Sequence, residues 1–315
     1  CLFFQVHQPL RHRRYRFFDI GNESYYYDDY ANETNIREII GKSYLPANKL
    51  LLELAGKWGK DFKVAFSITG TALDQFELYA PEVIESFQKL AQTGCVEFLA
   101  ETYSHSLASL KDHVVFKEQV KRHEQKTETL FGQTPRIFRN TEMIYSDDIG
   151  AQVAEMGFRG MLTEGARHVL GWKSPNFIYA NLINPRLKIF MRNFRLSDDI
   201  TFRFSNGNWS EFPLTAEKFA GWLTKTDPKE EVVNLFLNYE SLGLYQPKET
   251  GIFAFFESLV RTIAESDELK FNHPAAVLEE VQPVSVVSVP HPISWADEER
   301  DLTVWMGNEM QNEAL

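Results

Sequence analysis

Chemistry can be argued first from Glu142 and Asn238. The segment Phe138-Arg139-Asn140-Thr141-Glu142-Met143-Ile144-Tyr145-Ser146 sets an acid where a short apolar strand gives way to a loop. A second apolar strand, Asn234-Leu235-Phe236-Leu237, runs into Asn238-Tyr239-Glu240-Ser241-Leu242-Gly243. In barrels of parallel strands the reactive groups stand at the strands' C-terminal ends, where loops shape a cleft. Two carboxylates facing each other there would suit cleavage of a glycosidic bond. Here Glu142 would face an amide, which cannot release and retake a proton at accessible pH.

Other polar residues share this placement. His7 follows the strand Cys1–Val6, which Pro9 halts by removing a backbone donor. It could line a cleft or cap backbone carbonyls. Glu97 lies in the apolar strand Cys95–Ala100 and needs a partner to offset desolvation. That strand runs into Glu101-Thr102-Tyr103-Ser104-His105, a cluster that favours a lined cleft over scattered structural polar groups.

The elements that must position these residues follow one rhythm. Strands at Phe62–Ile68 and Gly160–Glu164 alternate with helical patterns at Pro46–Gly56, Pro81–Ala91, Phe116–Phe131 and Asp147–Met156, several stopped by glycine. Without hairpin turn signals, this is the pattern of parallel βα units, and an α/β barrel is the economical fold. Arg167 to Asn208 breaks the rhythm and reads as a long irregular insertion over the cleft mouth. A helix is predicted over Thr250–Glu265, a β-branched strand over Val284–Val289, and a helix cut short over Thr303–Leu315.

Composition narrows the function. The chain has 315 residues, 43% hydrophobic and 24% charged, enough for one large domain with an ample core. Its 25 Phe and 12 Tyr include faces that could stack on sugar rings. A net charge of -11 argues against nucleic acid as a partner, and the short basic run Arg11–Arg16 is answered at once by Asp28 and Asp29. No apolar run is long enough to span a membrane. Two cysteines, Cys1 and Cys95, form neither a disulfide framework nor a zinc spacing, which fits a reducing, cytoplasmic setting. The chain opens directly on a strand without methionine, as a trimmed N-terminus would, so an absent leader says little about location.

Five segments in order carry a family resemblance: Val6-His7-Gln8-Pro9; Gly94 to His105; Phe138 to Ser146; Asn238 to Gly243; and Trp295 to Glu309. Together they resemble glycoside hydrolase family 57, in its α-amylase-like branch. The resemblance implies an incomplete seven-stranded (β/α)7 barrel over residues 1–290 and, over 291–315, the start of a C-terminal helical region that is mostly missing. It implies a retaining mechanism on α-glucans or maltooligosaccharides, with no metal and no cofactor. Glu142 would be the nucleophile, and position 238 would hold the acid/base. His7, Glu97 and His105 would line the sugar-binding cleft, with Asp297 and Trp305 beside the helical region.

The chain departs from the family motif Asp-Tyr-Glu-Thr-Phe-Gly-Glu-His, reading Asn238-Tyr239-Glu240-Ser241-Leu242-Gly243-Leu244-Tyr245 instead. The expectation is an α-glucan cleft whose hydrolysis is weak or lost, a pseudoenzyme in the limit. The alternative is an active α-amylase or 4-α-glucanotransferase in which Glu240 replaces the acid. Two positions along a strand, Glu240 would stand about 6.6 to 6.8 Å from the acid's place, whereas a retaining pair needs about 5 to 5.5 Å. A hydrogen bond from Glu240 to sugar hydroxyls or to a buried histidine fits that spacing better. Metal-dependent deacetylase chemistry would need an Asp with closely paired histidines, and His105 and His113 do not form such a set.

Overall fold

Short strands buried on both faces, the form expected of parallel strands covered by helices, recur through the computed structural model, which describes residues 1–314. Leu315, the last residue of the predicted terminal helix, lies outside the described residues. The strands are β1 (Leu2–Val6), β2 (Val64–Ile68), β3 (Val96–Phe98), β4 (Ile137–Arg139), β5 (Gly160–Glu164), β6 (Ile178–Asn181), β7 (Lys188–Arg192), β8 (Leu235–Asn238), β9 (Leu242–Gly243), β10 (Gln246–Pro247) and β11 (Val286–Val287). They form a four-stranded sheet in the order β3-β2-β1-β8, a five-stranded sheet in the order β11-β6-β7-β5-β4, and a small β10-β9 pair.

Two expectations need correction. The barrel is not closed by continuous ladders. The sheets meet through single bridges, Ala100 with Phe138 and Arg192 with Asn234. At the first seam the Arg139 N–H donates to Ala100 O at 2.8 Å and the Ala100 N–H to Ile137 O at 2.9 Å, but β3 and β4 are only three residues long and this one bridge is all that joins them. Nor is 167–208 an irregular insertion, because it holds the antiparallel pair β6 and β7. Their turn has no glycine signal. Asn181 organises it by accepting from the amides of Ile183 and Asn184 at 3.0 and 2.7 Å, a side-chain mimic of a backbone turn. Of the strand predicted over Val284–Val289, only Val286 and Val287 pair.

Side chains alternate across each strand, and the inner faces are layered. Phe3, Ala65, Ile137, Phe190 and Phe236 form an apolar floor with Val277 and Leu278 from the helix Pro274–Glu280. Two residues further along the same strands come Gln5, Ser67, Arg139, Arg192 and Asn238. The site is therefore a polar layer set on an apolar one. The outer faces pack Phe4 and Phe66 against helices Leu45–Trp58, Pro81–Gln92 and Ile252–Ala264, through Leu51, Phe87 and Phe256.

Beyond β8 the chain turns through Tyr239–Ser241 into Gly243, which has φ +101°. A Cβ there would lie 2.1 Å from the Lys42 carbonyl oxygen. Both sterics and backbone angle demand glycine. We expect Gly243→Ala to cost about 3 kcal/mol in urea unfolding; an unchanged midpoint would mean that the turn tolerates a side chain.

Candidate active site

Glu142 does not continue β4 but occupies the turn Thr141–Met143, with φ +49° at Glu142 and +54° at Met143. Two left-handed non-glycine residues cost about 1 to 3 kcal/mol each, so the surroundings must impose the turn. Asn140 does so from before it, donating through Nδ2 to Ile144 O and Ser109 Oγ, both at 2.9 Å. From the far end of the chain, Ser294 Oγ and the Trp295 amide donate to Glu142 O at 2.9 and 3.2 Å. The carboxyl is thereby fixed between two donors. Oε1 lies 2.7 Å from His105 Nε2, and Oε2 accepts from Trp295 Nε1 at 2.7 Å.

The charge state follows from these contacts. Burial pushes the Glu142 carboxyl up, but the His105 hydrogen bond, the charges of His105 and Arg139, and the indole N–H outweigh it and hold the pKa at about 2. Burial alone would lower His105, yet hydrogen bonding to Glu101 and Glu142 raises it. His105 Nδ1 lies 3.6 Å from Glu101 Oε2, which is also 3.5 Å from Arg139 Nη1. Glu101 Oε1 accepts from Ser67 Oγ at 2.7 Å, and Arg139 Nη2 donates to Gln5 Oε1 at 2.6 Å. The His7 ring stacks on His105 at 4.0 Å, and burial followed by the His105 charge lowers His7 to about 3. The charged form is thus favoured on His105 and disfavoured on its neighbour His7.

Glu142, His7, Asn238, Glu240 and Trp295 line one cavity of about 360 Å³. Asn238 is half-buried at the end of β8, beside Gln5 in the β1 register. Glu240 is buried behind it, with Oε1 accepting from Gln8 Nε2 at 2.8 Å and from the Tyr44 hydroxyl. Burial raises its pKa. The rim carries Arg192, which donates to Glu164 at 3.1 Å and Asp198 at 2.5 Å, and Arg300. Such a site offers an ionised, fixed carboxylate to an electrophilic carbon. The Asn238 side chain offers the same cavity an amide.

The profile of Glycosyl hydrolase family 57 matches residues 1–290. The chain belongs to glycosyl hydrolase family 57. It is 40% identical over 313 residues to a Methanocaldococcus jannaschii protein named "Putative alpha-amylase", covering 98% of this chain and 66% of that protein. The chain thus spans less than two thirds of that relative. Among solved structures it resembles a family 57 branching enzyme from Thermococcus kodakaraensis, crystallised with glucose, at TM-score 0.73 and 12% identity over 98% of this chain and 76% of that one. It also resembles the 4-alpha-glucanotransferase of Thermococcus litoralis, at TM-score 0.70 and 16% identity over 93% of this chain and 42% of that one. At these identities the two likenesses show the fold.

Within this family 57 chain the sequence-derived residues do not all meet. His7, His105, Glu142, Asn238 and Glu240 come together. Glu97 does not. It is on the inner face but four residues before Glu101, roughly 13 Å lower by the strand rise, where it accepts from the Ala275 amide at 3.0 Å. Asp297 instead ties its own loop, accepting from Arg300 N at 2.8 Å and Thr303 Oγ1 at 3.2 Å. Trp305 packs on the core cluster around Phe138 and Tyr145. Sequence reasoning placed Glu101 only within the polar cluster that ends at His105 and missed Arg139, Arg192 and Trp295 as site-building residues. Among the described residues no group of three or more His, Cys, Asp or Glu side chains is placed to hold a metal ion, and no helix is long and apolar enough to cross a membrane.

The depressed Glu142 pKa has a checkable sign. Its contribution to stability is fully present above the ordinary value of 4.5 and is lost as pH falls through about 2. We expect the Glu142 side-chain carboxyl carbon to titrate by NMR near 2, and His105→Gln to move that midpoint upward. A midpoint near the ordinary value in the unaltered protein would mean that the His105 and Trp295 contacts do not hold in solution.

Proposed function

We propose that this chain is the cleft-forming part of an α-amylase-like family 57 protein that holds α-1,4-glucan, with Glu142 as nucleophile and Asn238 in the acid/base position. The observation that carries this reading is the ionised, doubly hydrogen-bonded Glu142 on one wall of the cavity that Asn238 also lines. In the retaining sequence Glu142 attacks the anomeric carbon, the glycosidic bond breaks, and the departing sugar oxygen takes a proton. Asn238 has no proton to give. A positioned general acid contributes about 10²- to 10⁴-fold, so turnover of unactivated glucan falls by that order while binding is retained.

A second reading rests on Glu240, which lines the same cavity and whose pKa burial raises. A protonated carboxyl there could serve as the acid of an active α-amylase or 4-α-glucanotransferase. Against it, Oε1 is already engaged by Gln8 and Tyr44, so proton delivery would break a buried network. An aryl α-glucoside with a good leaving group separates the two readings, because its departure needs little protonation. An acid-deficient site cleaves the aryl glucoside and spares starch, whereas a Glu240-dependent site cleaves both.

The direct test is Asn238→Asp assayed on soluble starch beside the unaltered protein. We expect a rise of about two orders of magnitude or more. Brisk starch hydrolysis by the unaltered chain, abolished by Glu240→Gln, would sink the first reading in favour of the second.

A further inference from the structure

Helix Phe194–Asp198 and the wider turn Asp199–Arg203 form a partition with two lined faces. Asp198, Thr201 and Phe202 face the catalytic cavity. Arg195, Leu196, Asp199 and Arg203, spaced to fall on the other side of a helical segment, face a second cavity of about 430 Å³. Trp209 and Trp222 stand in its opposite wall, half-buried on the main core, with ring centroids 6.1 Å apart and planes at 72°.

We infer that this second cavity is a separate binding site for a maltooligosaccharide, back to back with the catalytic one. Two chemistries meet there. Indole faces stack on the apolar faces of pyranose rings, as aromatic rings do on other flat ligands with apolar faces. Around them stand donors and acceptors of both signs: the exposed Arg195 and Lys225 donate, while Glu211 and Asp199 accept. A neutral chain of vicinal hydroxyls uses both kinds at once, since each hydroxyl donates one bond and accepts others. An anion would meet the carboxylates as well as the cations. Asp199 is held by Arg203 at 2.5 Å and Glu211 lies 3.6 Å from Lys218, whereas Arg195 and Lys225 make no ion pair among the described residues. Their donors are therefore uncommitted. The inference rests on the α-glucan reading for its ligand class, but on different residues.

The test is calorimetric titration of the full chain with maltoheptaose. Two sites per chain are expected. Trp222→Ala, and the exposed pair Arg195→Ala with Lys225→Ala, should each weaken one site at least tenfold and leave the other unchanged. The rim pair guards against misfolding of the tryptophan variant. Trp295→Ala should weaken only the catalytic site. A single site, lost in Trp295→Ala and indifferent to the Trp222 and rim variants, would overturn the second site and leave the α-glucan reading standing. Binding that depends only on Trp222 would do the reverse. Occupancy of the second cavity by inorganic phosphate in competition with maltoheptaose would also overturn it, as an anion site.

Discussion

Arg139 has no exposed surface, and neither does Glu101. A guanidinium in that position is tolerable only if charges and acceptors are brought to it, and the site is arranged as that response. Arg139, Glu101, His105 and Glu142 alternate in sign from the sheet interior to the cavity wall. Each charge fixes the state of the next. Hydrogen bonding to His105 and the charges of His105 and Arg139 hold the Glu142 carboxyl low, hydrogen bonding to Glu101 and Glu142 raises His105, and burial, followed by the His105 charge, lowers the stacked His7. Trp295 joins this line twice, as donor to Glu142 Oε2 and as a ring with the Arg139 and Arg192 guanidinium groups at 5.4 and 5.2 Å.

The two walls of the cavity differ in how freely they can change. Altering one member of the charged line leaves an unpaired buried ion, which is strongly destabilising. Asn238 is half-buried and belongs to no buried ion pair. A substitution at that position therefore strands no buried ion. The asymmetry separates the buried charged line behind Glu142 from Asn238 and Tyr245, which line the same cavity without belonging to it.

Much of the scaffold was legible in the sequence because parallel strands and their helices have short-range signals. Pro81, Gly132 and Gly157 punctuate helices close to their observed ends. β6 and β7 were not legible, since their turn is built by the Asn181 side chain rather than by glycine, and Arg192 was lost with them. Glu142 and Asn238 were found as strand-end residues, yet the left-handed turn at Glu142 depends on Ser294 and Trp295, far away in sequence. Glu97 misled because face was read without depth. The same alternation that points it inward places it on the apolar floor, and Glu101 takes the position above.

The clamp on Glu142 O has a consequence for how the protein comes into being. Its Trp295 bond spans 153 positions, and β1 awaits β8 across a still longer gap, Leu2 pairing with Leu235. Vectorial synthesis at about 5 to 20 residues per second delivers Glu142 roughly 8 to 30 seconds before its tether. Until the 290s clear the ribosome, the emerging polypeptide carries Glu142 without the Ser294 and Trp295 bonds that fix its turn and its carboxyl.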